Sequence, residues 1–423
     1  MTRAIAIALG LAACSGETGT VSVSLVTAPG STVLAQVQTL QLRLTNPDRL
    51  VSAQRTATGF DLSLELDASD RAGAVVVTGL DAAGAVVAVG QSPVFPLGGI
   101  TAAVVVYVAP PMSIAPSPAS LGTARSEVAG SALSYGAVLA GGRDGGGAPT
   151  TDIGVYNAYD HTLIAGAPLP AARAGLAMTS NTSSIYLFGG TGPDGNPTGT
   201  LWLFDTTVAP AGAFTTVADQ PAYARTGQRM LTIPAVGYPI TGAPGLLFDG
   251  STIHELSGAL PPVGGGGITT SSAVFVGDDL IRLEAGALTP LAGMGRPGAA
   301  ATTRSDGKVL VVGGGEPQTL DGLIIDPAAG TVVTIPGALT AGRSHPAIAA
   351  TSRHLVVAGG TDASGAPIAS AEILDVTSLA PITTVAMPAA TGRYAIALPD
   401  DQVLLTGGAP ATSDILLFTP PPP

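Results

Sequence analysis

The sequence has one cysteine and one tryptophan in 423 residues, and aromatic residues make up 4% of it. The cysteine is Cys14, so disulfides, thiolate nucleophiles and cysteine metal ligands are excluded from the rest of the chain. Lys and Arg number 17 against 29 Asp and Glu, a net charge of -12. Nucleic-acid binding depends on basic side chains that neutralise phosphates, and this charge argues against it.

Long apolar runs are also missing. The longest candidate, residues 100–112 (ITAAVVVYVAPPM), is shorter than the roughly 20 residues that a membrane-spanning helix needs. Apolar runs of four to eight residues instead alternate with Gly, Pro, Asp or Asn, without helical spacing. This pattern predicts an all-β protein.

Residues 1–14 have the features of a bacterial export signal. Arg3 supplies the positive charge, AIAIALGLA is a short apolar segment, and LAAC at residues 11–14 is the pattern of a lipoprotein signal. We therefore expect Cys14 to be acylated and to anchor the protein in a membrane. Ser15 stands where an aspartate would signal inner-membrane retention. The expected location is the outer membrane of the bacterial cell envelope, either periplasmic or surface-exposed.

Residues 20–110 contain six or seven short runs rich in β-branched residues, such as VSVSLVT, TLQLRLT and AAVVVYV, separated by turns. This number of strands in about 90 residues predicts a β-sandwich of immunoglobulin or fibronectin-III-like type. Its expected role is that of a spacer.

The stretch 343–392 is one copy of a unit that recurs along the rest of the chain. The unit opens with an arginine, ends its second strand in two glycines, begins its third strand with an acidic residue, and runs from its fourth strand into a proline. Four short strands cannot bury both faces of a sheet alone, so the copies must stack. The starts lie 32 to 52 residues apart, at Arg125, Arg173, Arg225, a degenerate start near Gly264, Arg296, Arg343 and Arg393.

Residues 112–419 resemble a kelch-repeat β-propeller. The features that they share with this family are the opening arginines, the glycine pairs (such as Gly141-Gly142 and Gly359-Gly360), and the acidic residues at the start of third strands, Asp152, Asp321, Glu372 and Asp414. The count of units is seven blades, or six if the unit near Gly264 is an elaborated loop. The tyrosine usual in the third strand is clear at Tyr156, and Trp202 lies in a third strand rather than before a fourth. The predicted fold is thus an N-terminal β-sandwich followed by a seven-bladed propeller.

The last unit supplies three strands and stops in prolines that cannot continue a ladder. Residues 112–115 match the fourth-strand ends of other units. We expect them to complete the last sheet and so to join the two ends of the propeller.

The six opening arginines are the one repeated polar group, and they are expected to lie near the channel mouth on one face. One interpretation pairs them with carbonyl groups and with the four third-strand acids. The other leaves part of the set free to bind an anionic group of a ligand. The candidate ligand-binding residues are therefore Arg125, Arg173, Arg225, Arg296, Arg343 and Arg393.

Loops that follow the glycine pairs (RDGGGAPTT, TGPDGNPTGT, GEPQTLD and TDASGAPIASA) differ in sequence and project from the same face. Such loops on a rigid scaffold are common binding sites. A protein or glycan is the expected partner, and Tyr223 and Tyr394 beside opening arginines could contact it.

A catalytic or metal site is not predicted. The histidines, His161, His254, His345 and His354, lack ligand spacing, and copper oxidase chemistry of the kelch type would need a cysteine beyond Cys14. No cofactor is expected. The function expected is that of a monomeric, non-catalytic binding or scaffold lipoprotein. The alternatives are a carbohydrate-active, epimerase-like enzyme, for which His345 is the best placed histidine, and a purely structural envelope component.

Overall fold

The computed structural model describes residues 18–46, 48–56, 60, 63–67, 71–96, 102–181, 184–266, 271–293 and 295–421. The signal predicted at residues 1–14, including Cys14, lies outside the described residues. The protein is all-β, as predicted; its described helices are α1 (Val33–Gln36) and a 3-10 turn, Pro221–Tyr223. Among these residues no helix is both long and apolar enough to cross a membrane.

The N-terminal strands form two larger sheets that share one core. Leu40, Leu42 and Leu44 alternate with exposed or half-buried residues, so one face of their strand is apolar and packs against Val104 and Val106 of the other sheet. One sheet has the order β4-β1-β9, with β1 and β9 parallel, the other the order β3-β2-β6-β7, and β5 pairs with β8. The strands are β1 (Thr18–Val26), β2 (Thr39–Thr45), β3 (Asp48–Gln54), β4 (Ser63–Asp67), β5 (Ala72–Gly73), β6 (Val75–Leu80), β7 (Val86–Gln91), β8 (Phe95–Pro96) and β9 (Ala102–Tyr107).

The described chain after residue 112 forms a series of antiparallel sheets, which we name C1 to C7. C1 to C3 are built from strands consecutive in sequence. C1 contains β11 (Ala129–Leu133), β12 (Gly136–Ala140), β13 (Ile153–Asn157) and β14 (Thr162–Ala165); C2 contains β15 (Ala177–Asn181), β16 (Ser184–Phe188), β17 (Thr200–Asp205) and β18 (Ala213–Asp219); C3 contains β19 (Tyr238–Ile240), β20 (Leu246–Phe248) and β21 (Ile253–Glu255).

C4 to C6 repeat the four-stranded pattern, and C7 borrows a strand from earlier in the sequence, β10 (Ser113–Pro116). C4 contains β22 (Val263–Gly264), β23 (Ser272–Val276), β24 (Leu280–Glu284) and β25 (Ala287–Pro290); C5 contains β26 (Ala300–Thr303), β27 (Val309–Val312), β28 (Gly322–Asp326) and β29 (Thr331–Ile335); C6 contains β30 (Ala347–Ala350), β31 (His354–Ala358), β32 (Ser370–Asp375) and β33 (Pro381–Ala386); C7 contains β34 (Tyr394–Ala397), β35 (Val403–Thr406), β36 (Ile415–Thr419) and β10.

The prediction that residues 112–115 complete the last sheet is confirmed, with the strand one residue later at Ser113–Pro116. It pairs antiparallel with β36, with Ser113 opposite Thr419 and Pro116 opposite Leu416. The prolines after Thr419 cannot extend the ladder, so β10 takes the edge position.

Most C-terminal sheets share an apolar core with the next sheet along the chain; between C3 and C4, the core of C4 instead packs against Ile233 and Leu256, which flank the strands of C3. Trp202 of C2 packs with Val138 of C1, and Phe418 of C7 packs with Val356 of C6. A further cluster joins C7 to C1 through Leu404 and Leu139. The order of packing therefore returns from the last sheet to the first.

The C-terminal sheets have two ends. In the four-stranded sheets, the turns between first and second strands and between third and fourth strands lie at one end, here called the hairpin end. The segments that follow the second strands, and those that join one sheet to the next, lie at the other, here called the glycine end. The hairpin end contacts the N-terminal sheets, since the Tyr107 N–H donates to His161 Nε2 (3.2 Å) and the Tyr159 hydroxyl donates to the Val94 carbonyl (3.0 Å).

Candidate functional site

The opening arginines lie at the glycine end, and most of them are buried. Side-chain burial of a cation is unusual and requires hydrogen-bond partners. Arg225 is half-buried, whereas the exposed fraction is 1% for Arg125 and Arg343, 5% for Arg296, 6% for Arg393 and 8% for Arg173.

The guanidinium groups bind backbone carbonyls of their own sheets. Nη1 of Arg125, Arg343 and Arg393 donates to the first glycine of the pair that ends the second strand, at 2.7, 3.2 and 3.4 Å. Arg125 donates in addition to the carbonyl of Asp152, just before the third strand (3.2 Å), and Arg343 to that of Ser370, the first residue of the third strand (3.3 Å). Each such arginine therefore bridges two strands across the glycine turn.

The other three arginines use different partners. Arg296 donates to the Asp321 carbonyl, and Arg225 donates to the carbonyls of Thr241 (3.1 Å) and Pro244 (3.0 Å). Arg173 donates to the Thr198 hydroxyl (3.1 Å) and lies 5.0 Å above the ring of Trp202. Burial lowers the pKa of five of these arginines, Arg125, Arg173, Arg225, Arg296 and Arg393.

Two of the four predicted acid partners form ion pairs. Arg343 pairs with Glu372 at 2.5 Å, with both side chains 1% exposed, and Arg125 pairs with Asp152 at 3.9 Å. Asp321 instead offers its carbonyl to Arg296, and its carboxylate accepts the Gly337 N–H at 3.0 Å. Asp414 and Arg393 form no ion pair within the described residues.

Glycine pairs link C1, C2 and C5 each to the sheet that follows it. The N–H of the second glycine donates to the carbonyl of the following opening arginine, from Gly142 to Arg173 (2.9 Å) and from Gly190 to Arg225 (2.9 Å). Gly141 and Gly142 have φ of 58° and 103°, which favours glycine. The motif that located the repeats in the sequence thus makes the contact between repeats.

This backbone contact also corrects two unit starts. Gly242 donates to the Leu260 carbonyl (2.8 Å), so the fourth unit starts at Leu260 rather than near Gly264. In the last unit, Thr391 pairs with Ala409 as Ser344 pairs with Thr361, which places the start at residue 390. Arg393 is three residues further along, and its long side chain still reaches the glycine carbonyl.

Glu127 and His345 each lie two residues after an opening arginine and have φ of 52°. Glycines, Gly175 and Gly227, occupy the same position in two other units. Glu127 forms an ion pair with Arg143 at 3.1 Å. The His345 N–H donates to the Gly298 carbonyl (2.6 Å), and its side chain is exposed. The described residues contain no group of three or more His, Cys, Asp or Glu that could hold a metal ion.

Sequence reasoning missed Arg229, which follows Arg225 by four residues. Its guanidinium lies 5.1 Å above the ring of Tyr394, so it joins the segment before C3 to the first strand of C7. Arg229 is exposed, and it has neither an ion pair nor a guanidinium hydrogen bond within the described part of the chain. No sequence signal marks Arg229, because Tyr394 was a candidate contact residue only through its sequence neighbour Arg393.

Three loops at the glycine end are built alike. In each, a residue after the glycine pair bridges to a proline. In two of them an aspartate Oδ1 accepts two backbone N–H groups further along the loop, and in the third Asp194 Oδ1 accepts the Asn196 N–H (3.1 Å). Asp144 accepts from Gly146 and Ala148, and Asp362 accepts from Ser364 and Ala366. The bridges are Arg143 to Pro149, Thr191 to Pro197 and Thr361 to Pro367. The loops are therefore ordered by their own sequence and present exposed tips.

No protein-family model matches the chain, and no curated protein matches it. Function is accordingly argued from the geometry of the glycine end.

Proposed function

We propose that the chain is a non-catalytic binding protein whose glycine end recognises a protein or glycan ligand. The single observation that carries this proposal is the asymmetry of the two ends. The hairpin end contacts the N-terminal strands at sheet C1, through Tyr107 and Val94, and at the turn of C7 near β7. The glycine end is left with ordered, exposed loops of different sequence on a rigid support, which is the usual arrangement of a binding face.

The architecture we propose is a kelch-like β-propeller over residues 112–419, with one blade for each of the sheets C1 to C7, and a β-sandwich over residues 20–110. The four-stranded sheets, the shared cores between neighbours and the cluster that joins C7 to C1 support the propeller. The shared core of the two N-terminal sheets supports the sandwich.

Within this face, the contacts favour a structural role for the opening arginines, because their guanidinium groups are committed to carbonyls. We propose Arg229 as the contact for an anionic group of the ligand. Its charge is solvent-accessible and unpaired in an acidic protein, and stacking on Tyr394 limits the side-chain entropy lost on binding.

The lipoprotein signal completes the proposal. With Cys14 acylated in the outer membrane, the N-terminal sheets stand between the membrane and the propeller, and the glycine end lies on the side away from them. A Cys14→Ser variant should move from the membrane fraction to the soluble fraction of the envelope.

The binding proposal is tested with the full chain on an array of acidic and neutral glycans. Arg229→Gln should weaken any glycan signal at least tenfold, as expected for one charge-assisted contact. Arg43→Gln is the matched control, because Arg43 is an exposed, paired arginine of the N-terminal sheets. If both variants bind as the parent does, Arg229 is not part of the site. If both lose binding equally, the site is not at the glycine end.

If no glycan binds, the protein arm uses a photo-crosslinking residue at Ser364, in the exposed loop after Asp362, with Val86 in the N-terminal sheets as the control position. Crosslinks to the same envelope protein from Ser364 and not from Val86 support a protein ligand. The absence of any crosslink specific to Ser364 would contradict the proposal.

A further inference from the structure

A small, partly open cavity lies where the N-terminal strand β7 meets sheet C7. Its volume of about 10 Å³, available to the centre of a water-sized sphere, is close to what one water molecule needs. Its walls come from β7, from the turn between β34 and β35, and from the end of β36. The lining residues are Val89, Gly90, Gln91, Asp400, Asp401, Gln402, Thr419, Pro420 and Pro421.

Three side chains of this cavity are buried with polar atoms that lack partners among the described residues. The atoms are Asp400 Oδ2, both amide atoms of Gln402 and the Thr419 hydroxyl oxygen. Each of the three residues is 1% exposed. Buried polar groups are almost always hydrogen-bonded, so four such atoms around one cavity indicate a missing hydrogen-bond partner.

The neighbouring groups do not supply that partner. His161 Nε2 lies 3.9 Å from Asp400 Oδ2, but it accepts the Tyr107 N–H, so it has no proton to donate. The proton of His161 is then on Nδ1, which faces the Tyr156 hydroxyl at 3.0 Å. The other carboxylate, of Asp401, is bound to the N–H and hydroxyl of Ser352 at 2.6 and 2.7 Å.

Asp400 therefore lacks a counter-charge in a fully buried position. Its Oδ1 accepts one long hydrogen bond from the Gln402 N–H (3.3 Å). Burial raises the pKa of Asp400 to about 8, so the carboxyl group carries a proton over most of the physiological range. A protonated carboxyl is both a donor and an acceptor.

We propose that the cavity holds one water molecule that bridges the carboxyl of Asp400, the amide of Gln402 and the hydroxyl of Thr419. A water molecule both donates and accepts, and so it can satisfy the Gln402 NH₂ group as well as the oxygens. A cation would satisfy the oxygens and leave that NH₂ group without a partner. The bridged cluster forms part of the contact between the N-terminal sheets and C7.

The test compares Thr419→Val with Thr406→Val in the full chain by thermal unfolding at pH 6. Valine keeps the shape of threonine and removes the hydroxyl. Thr406 is a buried threonine of the same sheet whose hydroxyl donates to the Asp414 carbonyl (3.2 Å), so its loss calibrates one broken hydrogen bond. With a bridging water, both variants should lose a similar number of degrees in Tm. If the cavity is dry, Thr419→Val should melt at the same temperature as the parent or higher, which overturns the proposal.

A cation is tested separately with calcium chloride and sodium chloride against a chelator. An increase in Tm with either salt that is abolished by Asp400→Asn would show a cation site and overturn the proposal. A high-resolution crystal structure of the full chain should show one water within hydrogen-bond distance of Asp400, Gln402 and Thr419, and a cavity without density would contradict it.

Discussion

At the scale of single residues, the arginines divide by what surrounds their guanidinium groups. Arg343 and Glu372 are both 1% exposed, and Glu372 also accepts hydrogen bonds from the N–H and hydroxyl of Thr340 (2.6 and 2.9 Å). Arg143 and Glu127 also form an ion pair, at 3.1 Å, with side chains 27% and 50% exposed. An ion pair exposed to water adds little to the free energy of unfolding, whereas a buried acid that loses its partner still carries the full desolvation cost of its burial.

Arg343→Leu should therefore destabilise the protein by about 3–5 kcal/mol, because it leaves Glu372 buried and unpaired. Arg143→Leu should cost less than about 1 kcal/mol. Urea unfolding of both variants measures the difference. The double variant Arg343→Leu with Glu372→Leu should recover part of the loss, and equal losses for Arg343→Leu and Arg143→Leu would contradict the structural role.

A pH dependence follows from His161 and Asp400. Burial lowers the pKa of His161 to about 4, so its contribution to stability is complete above pH 6.5 and is lost as the pH falls toward 4. Burial raises the pKa of Asp400 to about 8, so its contribution is present at pH 3.8 and is lost as the pH rises toward 8. Between about pH 4 and 6.5, His161 makes the free energy of unfolding rise with pH and Asp400 makes it fall.

Above pH 6.5 only the contribution of Asp400 to the free energy of unfolding still changes with pH. The free energy of unfolding should fall by about 2 kcal/mol between pH 6.5 and 8. Asp400→Asn should remove this decline and leave a profile that rises from pH 4 to 6.5 and is flat above it. Denaturant unfolding across this range measures both profiles, and a parent protein as stable at pH 8 as at pH 6.5 would contradict the assignment.

At the scale of elements, the strand that completes C7 comes from far earlier in the chain than its partner, since Ser113 lies opposite Thr419. Ile114 of this strand packs against the core shared by C6 and C7. Replacing residues 113–116 by Gly-Ser-Gly-Ser keeps the chain length, removes the apolar contact and weakens the strand, because glycine has low strand propensity. The Tm of the C-terminal sheets should fall by several degrees in differential scanning calorimetry, and an unchanged transition would show that this strand is not needed for closure.

The sequence correctly predicted those element ends at which the backbone conformation requires one residue type. Glycine pairs with positive φ mark the ends of second strands, and proline marks where the last ladder stops. It misplaced unit starts where a side chain rather than the backbone carried the signal. Arg393 binds the Gly407 carbonyl from three residues beyond the equivalent backbone position, because a long side chain tolerates such a shift.

The cluster around Asp400 could not be foreseen from sequence for a related reason. Asp400, His161 and Tyr107 are far apart along the chain, and each is an ordinary residue of a turn or strand on its own. Arg229 was overlooked because it lies outside the repeat pattern. Pairings that depend on how sheets meet become visible only in three dimensions.

At the scale of the whole molecule, the two ends of the C-terminal sheets differ in what an insertion would disturb. The loop 362–366 at the glycine end is exposed and closes on itself through Asp362. The turn at Asp400 and Asp401 at the hairpin end is bound to Ser352, to the buried cluster and to the walls of the cavity below β7.

A ten-residue epitope tag inserted after Ser364 should therefore cost less than about 1 kcal/mol, because lengthening an exposed loop adds little closure entropy. The same tag inserted between Asp400 and Asp401 should lower the Tm by many degrees or prevent folding, because it separates buried groups from their partners. Calorimetry measures both, and antibody binding to the first variant in intact, unfixed cells reports whether the glycine end faces outward. Equal tolerance at both sites would mean that the hairpin end is as free as the glycine end, and the asymmetry on which the binding proposal rests would be lost.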